Sequence, residues 1–165
     1  MSIFIDNETK VVVQGLTGEQ GKFHALRNKA YGTKVVAGTR PGKGGETVEG
    51  IPIFNTVEDA IEETGANTAM TFVPPPFAKD AVLEAAYAGC ELIVCITEGI
   101  PAKDEAEMYD LLKQKTSSRL LGPNCPGLIS PGKSNVGIMP HEITMEGKVG
   151  VVSRSGTLIY QAVLE

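Results

Sequence analysis

The sequence predicts an α/β protein whose central parallel sheet is covered by helices on both faces. Three observations support this fold class: short runs that are apolar along their whole length, stretches of helix-forming residues between them, and short connections rich in glycine and proline. Strands without alternating polar residues are typical of parallel strands buried on both faces. The alternation of strand and helix along the chain therefore predicts a doubly wound, Rossmann-like sheet.

Each element follows from a local pattern in the 165 residues. A continuous apolar run predicts a strand, and helix formers between a capping residue and a glycine predict a helix. Thr56, for example, is expected to cap the next helix, with Glu58 and Asp59 near its positive end. The predicted strands are residues 11–15, 34–39, 51–56, 68–74, 91–99 and 119–124, and the predicted helices are residues 18–32, 57–65, 78–89 and 102–115.

The pattern changes at Pro126, and this change predicts three parts of the chain. Residues 1–125 form the Rossmann-like domain, and residues 126–147 are a linker rich in glycine and proline without periodicity. Residues 148–165 are expected to be the first strand and helix of a second α/β domain, in which the chain ends early. An alternative is a terminal helix that docks back on the first domain. The apolar face of this last helix comprises Leu158, Ile159, Ala162 and Val163.

Composition and charge exclude several classes of protein. Fifteen Lys and Arg against twenty Asp and Glu give a net charge of −5, which argues against general nucleic-acid binding through a basic surface. Three cysteines without CxxC spacing support neither a disulfide framework nor a zinc site, and no metal site is predicted. No apolar run reaches membrane-spanning length. We therefore expect a cytoplasmic protein, or a mitochondrial matrix protein in a eukaryote, with reduced thiols.

A glycine-rich turn, Gly15-Leu-Thr-Gly18-Glu-Gln-Gly21, follows the first strand and opens a helix. Glycine allows a tight turn and close approach of a ligand to the backbone, and the free N–H groups of a helix start favour phosphate. Thr17 and Gln20 add side-chain donors, whereas Glu19 supports the helix but repels a direct phosphate contact. The alternative is a tight strand-to-helix turn with no ligand.

The end of the second strand lacks the acidic residue that an NAD-binding fold usually places there. Arg40 and Lys43 lie on a glycine-rich loop instead. Basic side chains at this position favour a phosphorylated ribose over an unmodified one, which leaves NADP or the 3′-phospho-ADP part of coenzyme A. The alternative is a solvated basic turn without a ligand.

Two further loops follow predicted strands, where open α/β sheets bind ligands. Residues 73–77 and 96–101 both contain prolines, which stop the strands and make the loops rigid. Thr97 and Glu98 are placed to hydrogen-bond an adenine, a ribose or a pantetheine amide. On spacing alone, each loop is also a plain strand end.

Four other features have simpler interpretations than a catalytic one. Residues 127–134 satisfy the pattern G-x-x-x-x-G-K-[ST], but no helical pattern follows, so we interpret this as a chance match to a nucleotide-binding loop. Cys125 has no histidine close in sequence to activate it, which favours a structural thiol. His24 and His141 show no metal-ligand spacing. Ser155 opens a second helix and is either part of an anion site or a plain N-cap.

The order of these motifs closely resembles that of the α subunits of succinyl-CoA synthetase, the nucleoside-diphosphate-forming succinate–CoA ligase family. The resemblance runs essentially from end to end and is carried by GLTGEQG, YGTKVVAGT, RPGKGG, GIPIFNTVEDA, FVPPPF, CITEGIP, GPNCPG, GIMP and GKVGVVSRSGTL. So many motifs in one order are far more specific than a single glycine loop.

The resemblance implies a coenzyme A-binding domain followed by a ligase domain, and it implies roles for particular residues. Tyr160 corresponds to a tyrosine close to succinate. The family's phosphorylated histidine lies in a Gly-His-Ala-Gly context that this sequence lacks, so no catalytic residue is predicted. The implied coenzyme A contacts are Thr17, Gly18, Glu19, Gln20, Lys43, Ile96, Thr97 and Glu98, and the implied phosphate contacts at a helix start are Ser155, Gly156 and Thr157.

The resemblance also implies a reaction and partners. The whole enzyme converts succinyl-CoA, phosphate and a nucleoside diphosphate into succinate, coenzyme A and a triphosphate, with a β subunit that carries the Mg-nucleotide. Nucleic acid and membrane are not expected partners. Two other functions are consistent with the same motifs: a stand-alone regulatory module that binds coenzyme A or NADP, and a related ligase that acts on acetate or malate.

Overall fold

The computed structural model describes residues 2–165 and contains an α/β sandwich with a small added hairpin. The strands are Lys10–Gln14 (β1), Lys34–Thr39 (β2), Thr47–Val48 (β3), Ile51–Phe54 (β4), Thr68–Thr71 (β5), Leu92–Cys95 (β6), Arg119–Leu121 (β7), Gly127–Ser130 (β8) and Ser134–Gly137 (β9). The helices are Glu19–Tyr31 (α1), Val57–Thr64 (α2), Pro75–Tyr87 (α3), Ala102–Lys115 (α4) and Leu158–Leu164 (α5), with a 3₁₀ turn at His141–Ile143.

The main sheet confirms the predicted Rossmann-like fold. Its strand order is β3-β4-β2-β1-β5-β6-β7, and every neighbouring pair is parallel except β3 with β4. The chain runs outward from β1 on one side and then returns to continue outward from β5 on the other, so the order reverses between these two strands. Ligands of open α/β sheets bind where the order reverses, beyond the carboxyl ends of the strands.

Apolar side chains fill both faces of this sheet, as the continuous apolar runs predict. Successive residues of β1 point to opposite faces, so Val12 packs in one core while Val11 and Val13 pack in the other. One core lies under α2, α3 and α4, and the other lies under α1 and strand β9. Burial of a valine of this kind stabilises the fold by roughly 1.5 kcal/mol or more.

A buried polar network fixes the carboxyl ends of β1 and β5. The Gln14 side chain donates to the Ala81 carbonyl at 2.7 Å and accepts from the Thr71 hydroxyl at 2.7 Å. Gln14 is only 2% exposed, so these partners are required to offset the loss of water. The network ties two strands to α3 and aligns the loops that follow them.

Most predicted elements agree with the structure within a few residues. Thr56 caps α2 as expected, since its hydroxyl accepts from the Asp59 N–H at 3.1 Å. Helix α3 begins at Pro75 rather than at Ala78 as predicted. Proline is tolerated in the first helical turn, where its missing N–H has no intrahelical partner to lose. The prolines therefore stop strand β5 and also begin the next helix.

The segment predicted as an irregular linker contains the antiparallel hairpin β8–β9, which is a correction to the sequence analysis. Polar groups of α1 and of the turn after it hold the hairpin: the Asn28 side chain of α1 donates to the Gly137 carbonyl at 2.9 Å, and the Thr33 hydroxyl donates to the Asn135 carbonyl at 3.0 Å. Val136 of β9 is also fully buried in the core under α1, but the strands show no apolar alternation that would predict them. The match to a nucleotide-binding loop spans this hairpin, so it lacks the required following helix.

The predicted strand at the start of residues 148–165 does not form, whereas helix α5 does. Val149 is 89% exposed and Val152 is fully exposed. A strand needs a hydrogen-bonded neighbour, and no strand within residues 2–165 pairs with this segment. Leu158 of the predicted apolar helix face is also exposed. The division of the chain into two domains and a linker stays a prediction.

Among residues 2–165, no helix combines the length and the apolar character that crossing a lipid bilayer requires.

Candidate functional site

Four loops meet at one edge of the sheet, which we call the carboxyl edge. They are residues 15–21 (the glycine loop), 40–45 (the basic loop), 72–76 and 96–99, and they follow β1, β2, β5 and β6. The parallel register places Gln14 beside Thr39 and Thr71, so the strands end at the same level. Backbone bonds continue this register into the loops, with the Phe72 N–H donating to the Gln14 carbonyl at 2.9 Å. The structure thus brings together all four loops that the sequence singled out.

The glycine loop has a backbone shape that only small residues permit. Gly15 adopts φ +88°, and a Cβ atom there would lie 3.2 Å from the Phe72 backbone. A Cβ on Gly21 would overlap the Gly15 carbonyl oxygen. Gly18 caps helix α1 without any side-chain hydrogen bond, so the first N–H groups of the helix have no intramolecular cap. This arrangement is suited to bind an anion.

The glycine loop and the basic loop are joined by a side-chain contact. One guanidinium nitrogen of Arg40, Nη1, donates to the Thr17 hydroxyl oxygen at 2.8 Å. The hydroxyl accepts this bond and keeps its own proton, which it can donate to a ligand. The contact places a full positive charge next to the helix start. Two predicted features, the donor on the glycine loop and the basic residue after β2, therefore form one surface.

Asn55 holds the basic loop in place and was missed in the sequence analysis. Its side-chain oxygen Oδ1 accepts from the N–H groups of Gly42 and Gly44, at 2.9 and 3.0 Å. Lys43 lies between these two glycines, and its ammonium group pairs with Glu46 at 2.7 Å. Asn55 is 13 residues from Gly42 in sequence, so no local spacing signals this contact.

The loop after β6 serves partly as a structural brace. The Thr97 hydroxyl donates to the Val73 carbonyl at 2.7 Å, and the Thr97 carbonyl accepts from the Asn124 N–H at 3.0 Å. Thr97 therefore ties together the loops after β5, β6 and β7, and its hydroxyl can only accept a hydrogen bond from a ligand. Ile96 is half-buried and Glu98 is exposed at the same edge.

His24 packs between aromatic rings beside the glycine loop. Its ring stacks on that of Phe72, with centroids 5.7 Å apart and planes within 3°, and Phe23 contacts it edge-on at 5.0 Å. Partial burial lowers the pKa of His24, and the neighbouring Arg27 charge lowers it further. The neutral ring therefore packs against the loop that begins at Phe72 and supports it.

The cysteines near the site are protonated thiols. Burial raises the pKa of Cys95 to about 12, and burial also raises the pKa of Cys125. The Cys125 thiol donates weakly to the Cys95 and Leu121 carbonyls, at 3.4 and 3.6 Å. A thiolate nucleophile is thus disfavoured at either position, in agreement with the structural role expected for Cys125.

The C-terminal candidates lie beside the segment that follows β7. Burial and the nearby Cys125 raise the pKa of Tyr160, which is half-buried. A Cβ on Gly156 would lie 3.6 Å from the Pro126 ring. The N-cap of the last helix is Thr157, and the Ser155 hydroxyl accepts from the first helical N–H, that of Leu158, at 3.2 Å. A role of Ser155, Gly156 and Thr157 in binding phosphate stays a prediction.

Fold and site together define a Rossmann-like domain with a basic, glycine-lined edge for an anionic ligand. Residues 6–99 match the family model described as "CoA binding domain", and these residues include all four loops. The match covers more than half of the chain, so the chain belongs to this family.

Relatives of known name agree with the resemblance drawn from the motifs. A protein described as succinate–CoA ligase [ADP-forming] subunit alpha, from Aquifex aeolicus (strain VF5), is 60% identical over 163 residues, which are 98% of this chain and 53% of that protein. A malate–CoA ligase subunit alpha from Methylorubrum extorquens (strain AM1) is 55% identical over 165 residues, with 98% of this chain and 56% of that protein covered. The chain thus spans about half the length of these curated relatives.

A solved structure shows the same fold at low sequence identity. The ATP citrate lyase of Methanothrix soehngenii, determined with citrate and coenzyme A, superimposes with a TM-score of 0.78 and 20% identity. The similarity covers 98% of this chain and 29% of the lyase. It supports the Rossmann-like architecture.

Proposed function

We propose that this chain is the coenzyme A-binding part of the α subunit of a nucleoside-diphosphate-forming succinate–CoA ligase. The observation that carries the proposal is the 2.8 Å contact between Arg40 and Thr17, which builds a cationic surface against an uncapped helix start. Both residues lie within the region that matches the coenzyme A-binding family. An anionic nucleotide with an additional ribose phosphate fits this surface.

Each loop has a part in the proposed binding. The free backbone N–H groups of Glu19 and Gln20 at the start of α1 hold the pyrophosphate beside Gly18, and Thr17 donates its hydroxyl proton there. Arg40 and Lys43 bind the 3′-phosphate of the ribose. The backbone of Ile96, Thr97 and Glu98 lies along the adenine and the pantetheine arm. The protein supplies position and charge here, and we assign no catalytic residue to this chain.

The reaction of the whole enzyme is proposed by similarity to the relatives. Succinyl-CoA, phosphate and a nucleoside diphosphate would be interconverted with succinate, coenzyme A and a triphosphate, and a β subunit would bind the Mg-nucleotide. Tyr160 is proposed to lie near succinate, and Ser155, Gly156 and Thr157 near the transferred phosphate. The proposed location of the enzyme is the cytoplasm, or the mitochondrial matrix in a eukaryote. Similarity to the malate–CoA ligase makes malate the second candidate acid.

The proposal is tested by calorimetric titration of the chain with coenzyme A, 3′-dephospho-coenzyme A and NADP. We expect saturable binding of coenzyme A that weakens without the 3′-phosphate, because Arg40 and Lys43 then lose their ligand. Binding of NADP without coenzyme A binding would indicate a redox or regulatory module instead. We also expect no succinate–CoA ligase turnover from the pure chain, and measurable turnover would contradict the assignment of catalysis to other residues.

A further inference from the structure

Two lysines, one in the candidate site and one directly beside it, are paired with carboxylates of one short segment. The Lys43 ammonium lies 2.7 Å from a Glu46 carboxylate oxygen, and the Lys22 ammonium lies 2.8 Å from one of Glu49. Lys43 belongs to the basic loop, and Lys22 lies in the first turns of α1. We call residues 46–49 the acidic turn. It brings two negative charges to an edge that is proposed to bind phosphate.

The backbone holds the acidic turn against the lysines. The Glu46 N–H donates to the Lys43 carbonyl at 3.2 Å, and the Glu46 carbonyl accepts from the Ile53 N–H at 2.9 Å. Glu49 adopts φ 49° and precedes Gly50 at φ 76°, which closes the tight turn between β3 and β4. The two carboxylates are therefore carried by an ordered hairpin and not by a loose loop.

Both ion pairs have the strength of surface contacts. The paired side chains are about half exposed, 45% and 53% for Lys43 and Glu46. Exposed pairs of this kind contribute little to folding and are screened by salt. A phosphate monoester carries more charge than a carboxylate and offers three acceptor oxygens. An arriving phosphate can therefore displace the carboxylate from the lysine.

We infer that the acidic turn is an internal competitor, in which Glu46 and Glu49 occupy the lysines of the site until a ligand phosphate replaces them. This inference rests on the proposed coenzyme A site and assigns a role to residues outside it. The carboxylates lower the affinity of the site for the phosphates of the ligand, because each carboxylate pairs with a lysine that would otherwise be free. Glu46 weakens binding of the 3′-phosphate because it pairs with Lys43. Glu49 acts through Lys22 at the helix start, where the pyrophosphate is proposed to bind.

Titration of the full chain and its variants E46Q, E49Q and E63Q tests the inference. The E63Q variant is the matched control, because Glu63 is exposed on α2 and its replacement changes the net charge by the same amount. E46Q is expected to bind coenzyme A about two- to fivefold more tightly, with little change for 3′-dephospho-coenzyme A. E49Q is expected to bind both coenzyme A and 3′-dephospho-coenzyme A more tightly, since both ligands contain the pyrophosphate. E63Q is expected to change the affinity for neither ligand.

Salt dependence gives a second readout that a structural role of Glu46 does not move. In the unmodified chain the ligand exchanges one ion pair for another, whereas in E46Q it neutralises a free lysine. Coenzyme A affinity of E46Q should therefore fall more steeply between low and high salt. If the unmodified chain binds coenzyme A and E46Q shows the same ratio of coenzyme A to 3′-dephospho-coenzyme A affinity and the same salt dependence, the inference is overturned. This result leaves the proposed function standing. If the unmodified chain binds no coenzyme A, the proposed function and the inference both fail.

Discussion

The glycine loop and the start of helix α5 carry similar sequences but differ in structure. GLTGEQG and SRSGTL each place glycine and hydroxyl residues before a helix. At the glycine loop, the preceding strand is buried between two neighbours and the helix has 13 residues. Before α5, the backbone pairs with no strand among residues 2–165, and the helix has seven residues.

The difference shows which features the proposed binding site has and the start of α5 lacks. The N–H groups of α1 have no side-chain cap, while the Leu158 N–H is already satisfied by the Ser155 hydroxyl. In addition, the sheet aligns three other loops with the glycine loop, and Arg40 reaches it from one of them. A motif alone therefore predicts only a possible site, and the neighbouring strands supply the remaining groups.

The largest expected effect comes from replacing one glycine in each region by alanine. In Gly21→Ala the new Cβ meets the Gly15 backbone, which cannot move without shifting β1 and β5. We expect a loss of about 2–3 kcal/mol in the free energy of unfolding, measured by urea denaturation, together with loss of coenzyme A binding. Gly150→Ala is the control, because a Cβ there meets no atom within 4 Å, and we expect a change within about 0.5 kcal/mol. Equal stability of the two variants would show that the glycine loop tolerates side chains.

A smaller effect is expected from removing one positive charge in each region. Arg40→Gln keeps a donor for Thr17 but removes the charge, so coenzyme A affinity should fall about three- to tenfold while 3′-dephospho-coenzyme A affinity changes less. Arg154→Gln removes an exposed charge before α5 and should leave both affinities unchanged. Calorimetry with the two ligands measures both values. A uniform loss for both ligands in Arg40→Gln would place Arg40 at the pyrophosphate instead of the 3′-phosphate.

The same comparison explains which features the sequence alone predicts. The strands and helices of the Rossmann-like part, and the glycine loop, follow from apolar runs, caps and glycine spacing, which are local. The hairpin β8–β9 does not, because Asn28 and Thr33 hold it through contacts more than 100 residues apart. Asn55 escapes detection for a similar reason, since it acts on a loop 11 to 13 residues away. Residues 148–152 show the opposite error. Their apolar pattern predicts a strand, but no strand among residues 2–165 lies beside them to pair with.

The smallest effect concerns the pH dependence of stability at the carboxyl edge. In the folded chain, burial and the Arg27 charge lower the pKa of His24 below its ordinary value of 6.5. Below that pH the unfolded chain binds a proton more readily than the folded chain, so stability should decrease as pH falls through about 6.5. His24→Gln removes this contribution, and the free energy of unfolding should then change less between pH 7 and pH 5, by under about 1 kcal/mol. Urea denaturation at both pH values measures the difference. An unchanged slope would mean that the His24 ring is as accessible to protons in the folded chain as in the unfolded one, so that its stacking on Phe72 does not keep it neutral.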